Sequence, residues 1–210
     1  MSEQTRKVRQ DRAVDSTRRF WDRRAAGYDN GARLERRLLG DTRQWLCGQA
    51  RGRVLEVAVG TGRNLAHYPD SVTEVVGIDL SPGMLARARI AAARVGFPVD
   101  LREGDARHLP FPDADFDTVV CSLALCEIPG QAAALAEMRR VLRPGGRLLL
   151  VDHVEYTRAP FRWIEPVRAR RRGTDPRRRP VDVARDQGFV VDRLEPLALG
   201  FFDRVVAHRP

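Results

Sequence analysis

The sequence predicts an α/β fold: a doubly wound, mostly parallel sheet of seven strands, with helices ahead of it and an antiparallel hairpin at its end. Three observations predict it. Short apolar runs alternate with helical patterns from residue 53 to residue 188. The first runs are apolar almost throughout, as in strands of a parallel sheet covered on both faces. The last two runs, 190–195 and 201–207, follow one another with no helix between them and so pair as a hairpin. Right-handed crossovers then wind the helices onto both faces, and ligands of such sheets bind beyond the carboxyl ends of the strands, where strand order reverses.

Taken in order, residues 1–13 are polar and expected to be loose. A helix over 16–25 places Phe20, Trp21 and Ala25 on one side, and a second over 32–49 aligns Leu34, Leu38, Trp45 and Leu46. Strand 53–58 runs into a glycine turn, and a helix is expected from 62 to 67. Strand 74–79 ends in an acid. Helix 81–94 opens with Ser81 as N-cap and Pro82 in its first turn. Strands follow at 99–103 and 116–121. Helix 131–142 is closed by Pro144-Gly145-Gly146, strand 147–152 comes next, and helix 181–187 ends at Gly188. The domain reading is an N-terminal helical arm and cap over 1–50, and a sheet domain over 51–210 in which 157–180 is a basic cover.

Composition narrows the classes. A chain of 210 residues with 43% hydrophobic content builds a single sizeable core. No run is long and apolar enough for a membrane span, and the charged first 24 residues do not resemble a signal peptide, so a cytoplasmic location is expected. Cys47, Cys121 and Cys126 show no metal-ligand spacing, so no metal is expected and the thiols are expected to be reduced. The net charge of +9 is uneven: residues 158–179 hold nine arginines against Glu165 and Asp175, and residues 1–24 hold eight basic and four acidic side chains. The remainder is slightly acidic, which argues against a nucleic-acid-binding body.

The turn in "VLEVAVGTGRN" decides what kind of ligand to expect. A dinucleotide fingerprint needs a third glycine where Leu65 stands, and a polyphosphate loop needs a Gly-Lys-Ser/Thr that is missing. What the turn does have is Glu56 within its strand and Asp79 at the end of the next. A carboxylate there accepts hydrogen bonds from both ribose hydroxyls, which points to a nucleoside without phosphate.

"VLEVAVGTGRN", "VVGIDLSPGMLARAR", "EGDARHLPFPDADFDTVVCSLAL" and "EMRRVLRPGGRLLLVDH" resemble, in order, the successive motifs of class I S-adenosylmethionine-dependent methyltransferases, a Rossmann-like fold; "WDRRAAGYD" resembles their lead-in. The resemblance covers about residues 53–153 and implies S-adenosylmethionine as cofactor. It further implies that Gly60 and Gly62 border the methionine portion, with Glu56, Ala58 and Asn64 from the same motif. Asp79 holds the ribose hydroxyls, Leu80 and Met84 pack on the adenine, and Asp105 takes the adenine amino group beside Ala106. Ser122 and Leu123 lie near the sulfonium, and Tyr28 closes over the cofactor. Ala58 replaces the family's first glycine, a change that fits if its φ is negative. Taken singly these residues have plainer readings: a helix-capping acid for Asp79, an Asx turn for Asp105, a core side chain for Met84.

His153, at the end of strand 147–152, is the candidate catalytic base, against a structural histidine at a strand end. Cys126 is either a cleft thiol or a buried inert one. The cover combines Phe161, Trp163 and Ile164 with its arginines: an interfacial element on an anionic membrane, a lid for an acidic substrate, a single-stranded nucleic-acid contact or a solvated loop. "VVCSLALCEI" and "WIEPVRARRRG" are similar to thiol, phospholipid N- and quinone C-methyltransferases, which implies a small, lipid-like or anionic acceptor. The rival readings are a nucleic-acid methyltransferase, disfavoured because "CSLAL" stands where a D/N-P-P-Y type tetrad belongs, a non-catalytic cofactor-binding homologue, and, weakest, a dehydrogenase.

Overall fold

The structure, a computed structural model, describes residues 3–172 and 176–210. Seven strands form one sheet: β1 (Gly52–Val57), β2 (Val72–Asp79), β3 (Val99–Glu103), β4 (Phe116–Ser122), β5 (Leu142–His153), β6 (Val190–Leu197) and β7 (Phe202–His208), in the order β3-β2-β1-β4-β5-β7-β6. The first five are mutually parallel. β7 runs antiparallel to both β5 and β6, so the C-terminal hairpin closes one side of the sheet.

The central strands are apolar on both faces because both faces are covered. Leu55 and Val57 point into a core with Ala134, Leu135 and Met138 of α5 (Gln131–Val141) and Val181 and Ala184 of α7 (Pro180–Asp186). Val54, one residue out of phase, joins Val75, Val120 and Leu149 on the other face, against Leu46 and Cys47 of α3 (Thr42–Cys47). Ser81 caps α4 (Pro82–Ala92) as its sequence implies, its Oγ accepting the Met84 N–H at 3.1 Å.

Several boundaries depart from the sequence expectation. From residue 3 on, the stretch expected to be loose is helical: α1 (Glu3–Arg24) begins at Glu3, with Ala13 buried and Asp11 ion-paired to Arg107 at 3.3 Å. The expected helix 32–49 is two, α2 (Ala32–Leu39) and α3, because Gly40 leaves helical space at φ 59, ψ −142 and the Thr42 hydroxyl donates to the freed Leu39 carbonyl. The helix expected over 62–67 is one 3-10 turn, Leu65–His67. Pro144-Gly145-Gly146 does not close α5, which stops at Val141; those residues already belong to β5, where Gly145 N–H donates to the Arg209 carbonyl at 2.7 Å. Within the basic cover, residues 161–172 form a helix, α6 (Phe161–Arg172), while 173–175 lie outside the described residues. Among the described residues no helix is long and apolar enough to cross a membrane.

Candidate active site

Strand order reverses between β1 and β4, and a cleft opens at their carboxyl ends, about 740 Å³ counting space continuous with solvent. Its floor is the turn after β1. Val59 N–H donates to the Ile78 carbonyl at 2.9 Å, so the chain leaves β1 still bound to β2 and turns sharply under Gly60 and Gly62. The two glycines differ. A Cβ on Gly60 (φ 58) meets nothing within 4 Å; one on Gly62 (φ 79) meets Ala88, Ala91 and Leu65 atoms at 3.1 Å. Gly60 leaves room for a ligand, while Gly62 lets α4 pack against the turn. Ala58 does not meet the condition its sequence reading set: its φ is +56, the left-handed region where glycine is the unstrained residue.

Asp79 and Asp105 line this one cleft. They converge because β2 and β3 end side by side: Asp79 pairs in register with Glu103, and Gly104 N–H donates to the Asp79 carbonyl at 3.0 Å. The Asp79 carboxylate accepts the Gly60 N–H with one oxygen and the Ser81 N–H with the other, both at 2.9 Å, which fixes its plane while leaving further lone pairs. Burial pushes its pKa up; the Ser81 and Gly60 N–H groups oppose this only in part. Asp105 makes the Asx turn its sequence allows, accepting Arg107 N–H at 2.9 Å, and pairs with the Arg107 guanidinium at 2.7 Å. Partial burial works to raise its pKa, but the Arg107 hydrogen bonds and charge outweigh it and hold the carboxyl below its ordinary value.

Of the other sequence-derived residues, Tyr28, Ala58, Leu80, Met84, Ala106, Ser122 and Leu123 also line the cleft. Glu56, Gly62 and Asn64 do not: they lie beneath the turn. Glu56 sits on the same face of β1 as Val54, 1% exposed, and accepts hydrogen bonds at 2.8 Å from Asn64 and from the Tyr68 hydroxyl. Burial raises its pKa to about 7, against the Tyr68 and Asn64 hydrogen bonds and the Arg43 charge. Asn64 passes the network outward, donating to Ser122 Oγ at 2.9 Å and accepting from Arg43 at 2.7 Å, while Arg43 pairs with Glu35 at 2.7 Å. The chain of contacts thus joins the N-terminal cap to the floor of the cleft.

Beside Tyr28, which the sequence reading placed there, α1 closes the top, and that the sequence reading missed. Val14, Thr17 and Trp21 of α1 line the cleft, with the Trp21 ring edge-on to Tyr28 at 5.8 Å. Asp22 anchors that helix end, accepting the Ser81 hydroxyl at 2.6 Å and the Gly83 N–H at 2.9 Å. The available signal was the grouping of Phe20 and Trp21 on one helix side, which has no target until the chain folds back.

A second groove adjoins the first, sharing Thr17, Trp21, Glu127, Ile128 and Pro129. Phe20 and Ala13 form one wall; Cys126, Arg177 and Arg178 line the opposite side. His153 lines neither space. Its Nδ1 lies 3.3 Å from Asp152 and 3.9 Å from the Cys126 sulfur, and its ring rests on Phe202 at 4.4 Å. Burial works against its proton, but the buried Asp152 carboxylate prevails and raises the imidazole pKa. Cys126, Asp152 and His153 are ligand types within reach of one metal ion. Asp152 already accepts the Cys126 and His153 backbone N–H groups at 2.8 and 2.7 Å, and burial raises the Cys126 thiol well above its usual pKa, so the trio is satisfied as it stands.

The comparisons with known proteins bear on this geometry. The methyltransferase domain family matches residues 55–150. Over that stretch, a little under half of its length, this chain is similar to a methyltransferase domain. It is 46% identical over 121 residues to a phosphatidylethanolamine N-methyltransferase of Cereibacter sphaeroides, an alignment covering 57% of this chain and 59% of that one. It is 39% identical over 133 residues to a demethylmenaquinone methyltransferase of Renibacterium salmoninarum, covering 60% and 54%. The chain therefore spans a little over half the length of these curated relatives. Among solved structures, a putative methyltransferase of Bacillus halodurans superposes with a TM-score of 0.61 at 28% identity, covering 74% of this chain and 70% of that one. The cofactor of the class I domain is S-adenosylmethionine. The cleft suits it: among the described lining residues are three acids, Asp79, Asp105 and Glu127, and no arginine or lysine. That balance favours a ligand bearing positive charge and no phosphate.

Proposed function

We propose that the chain transfers a methyl group from S-adenosylmethionine to a small amphiphilic acceptor. The observation that carries this reading is the acid-lined, cation-free cleft opening into a groove with aromatic and arginine walls. In this reading Asp79 holds the ribose hydroxyls, and its two backbone hydrogen bonds keep it oriented before the ligand arrives. Leu80, Met84 and Ala106 flank the adenine, and Asp105 accepts its amino group. Ala58 and Gly60 border the methionine portion. Ser122 and Leu123 lie beside the reacting centre, and Trp21 and Tyr28 exclude water above it. The sulfonium cofactor supplies an activated methyl group; the protein's part is alignment and a dry site. Glu56, Gly62 and Asn64 act from beneath, holding the turn.

The acceptor enters by the second groove. The phospholipid and quinone named for the relatives support a molecule with an apolar body, and Arg177 and Arg178 support an anionic or strongly polar head. The arginine-rich segment 158–179 supports contact with an anionic membrane surface from the cytoplasmic side. His153 lines neither the cleft nor the groove, and its contacts with Asp152 and Phe202 support the structural reading of a histidine at a strand end over that of a catalytic base.

Calorimetric titration with S-adenosylmethionine tests the cofactor half. Asp79→Asn removes a charge-assisted acceptor and is expected to weaken binding by about 10- to 100-fold, since such hydrogen bonds contribute about 1.5–3 kcal/mol. No heat from the folded parent protein at millimolar cofactor refutes the reading. A radiolabelled methyl-transfer screen across thiols, phenols, quinols and aminolipids tests the acceptor half. His153→Gln is expected to leave both cofactor binding and turnover intact; a loss of turnover with binding retained restores it as the candidate base.

A further inference from the structure

We propose that α6 and the turn between β6 and β7 form a docking face for an anionic lipid bilayer. α6 seats Glu165 and Ala169, one helical turn apart, against the body of the protein, 4% and 1% exposed. Its opposite side turns Trp163, Ile164 and Val167 to solvent, 65%, 42% and 55% exposed, and Arg170 and Arg171 follow on the next turn. Leu199, at the tip of the 198–200 turn, is 89% exposed and held at φ 57. Arg158, just before α6, ties the two elements together: its guanidinium donates to the Leu199 carbonyl and lies 5.6 Å over the Phe201 ring. Residues 41 apart in sequence thus share one surface.

The charges on this surface are sorted by direction. Arg177 and Arg179 turn inward to Glu127 and Asp203. Arg168, Arg170 and Arg171 are exposed and form no ion pair with a described residue. Aliphatic tips and a tryptophan beside unpaired arginines match a bilayer interface, where the apolar groups enter the acyl boundary and the guanidinium groups meet anionic headgroups. The side chains also choose between membrane and single-stranded nucleic acid. Bases stack on aromatic rings, and Ile164, Val167 and Leu199 offer none.

The sheet sets the direction of this face. β5 and β6 are both antiparallel to β7, so they run the same way, and the Leu197 and His153 ends lie on the edge that carries Asp79 and Ser122. Docking through Leu199 and α6 therefore presents the ligand-binding edge to the lipid. That consequence rests on the acceptor reading above; the docking itself does not.

Co-sedimentation of the full chain with phosphatidylglycerol/phosphatidylcholine vesicles, against phosphatidylcholine alone, tests the proposal. Binding is expected to the anionic vesicles only and to weaken with added salt. Arg170→Ala with Arg171→Ala is expected to lower the partition about 30-fold, from about 1 kcal/mol per arginine. Trp163→Ser with Leu199→Ser is expected to abolish it, and Ile90→Ser, an exposed α4 position on the far side of the sheet, to leave it unchanged. A cooperative thermal melt like the parent's certifies that each variant is folded. Absence of vesicle binding, binding that survives loss of Trp163 and Leu199, or tighter salt-sensitive binding to single-stranded RNA each overturns the proposal. Vesicle binding by a protein that ignores S-adenosylmethionine upholds the docking face and refutes the methyltransferase reading; the reverse result does the opposite.

Discussion

Ala58 sits at φ +56, where an L-residue with a Cβ is strained by about 1–2 kcal/mol. Ala58→Gly removes that strain and returns about 0.4–1 kcal/mol through the freer unfolded chain. The expected outcome is a gain of about 1 kcal/mol, seen as a higher urea midpoint at unchanged slope. Glu56 gives a second test at this scale. Its carboxyl titrates near 7 in the folded chain against 4.5 ordinarily, so the folded state holds the proton more tightly. Stability therefore falls as pH rises from about 4.5 to about 7, by up to about 3 kcal/mol, and then levels. Glu56→Gln, which keeps an acceptor and stays neutral, is expected to flatten that dependence when melting is compared at pH 5 and pH 8. The sequence showed Glu56 as an acid in an apolar strand. Its neutral tendency comes from burial under a layer drawn from other parts of the chain, which outweighs the hydrogen bonds from Tyr68 and Asn64.

At the scale of elements, the turn after β1 joins strand, cleft and helix, and its glycines divide the work. Gly62→Ala is expected to cost about 2 kcal/mol or more, because a left-handed alanine there also presses into the α4 backbone at 3.1 Å. Gly60→Ala meets no protein atom, so its cost in stability is about 1 kcal/mol, with the larger effect on S-adenosylmethionine affinity. Thermal melting and calorimetric titration of the two variants separate packing from binding. Both glycines read alike in "GTG". The parallel strands were legible because a strand buried on both faces must be apolar, and α4 because Ser81-Pro82 announces its start. The break at Gly40 was not, since the freed Leu39 carbonyl and the Thr42 hydroxyl are also held from outside the segment, by Arg204 of β7.

At the scale of the molecule, the cleft is closed by a part of the chain that has no sheet of its own. α1 brings Trp21 over a site whose acids come from β2 and β3, and it is held there by Asp22 on the α4 N-terminus and Asp11 on Arg107. Trp21→Ala is expected to weaken S-adenosylmethionine binding at least 10-fold with little change in melting temperature, because the sheet core does not include that ring. By itself the sequence determined the strand–helix alternation, the turn and acids of the ligand edge, and the uneven charge; each is a local pattern, imposed by burial or by what a glycine or carboxylate does in place. Only the tertiary structure decided that α1 caps the cleft, that Glu56 and Asn64 lie under it, that Arg107 reaches Asp11 as well as Asp105, and that Leu199 joins α6. Those are pairings between residues far apart in sequence, and the physical reason they stay hidden is that no local pattern records which distant surface a side chain will meet.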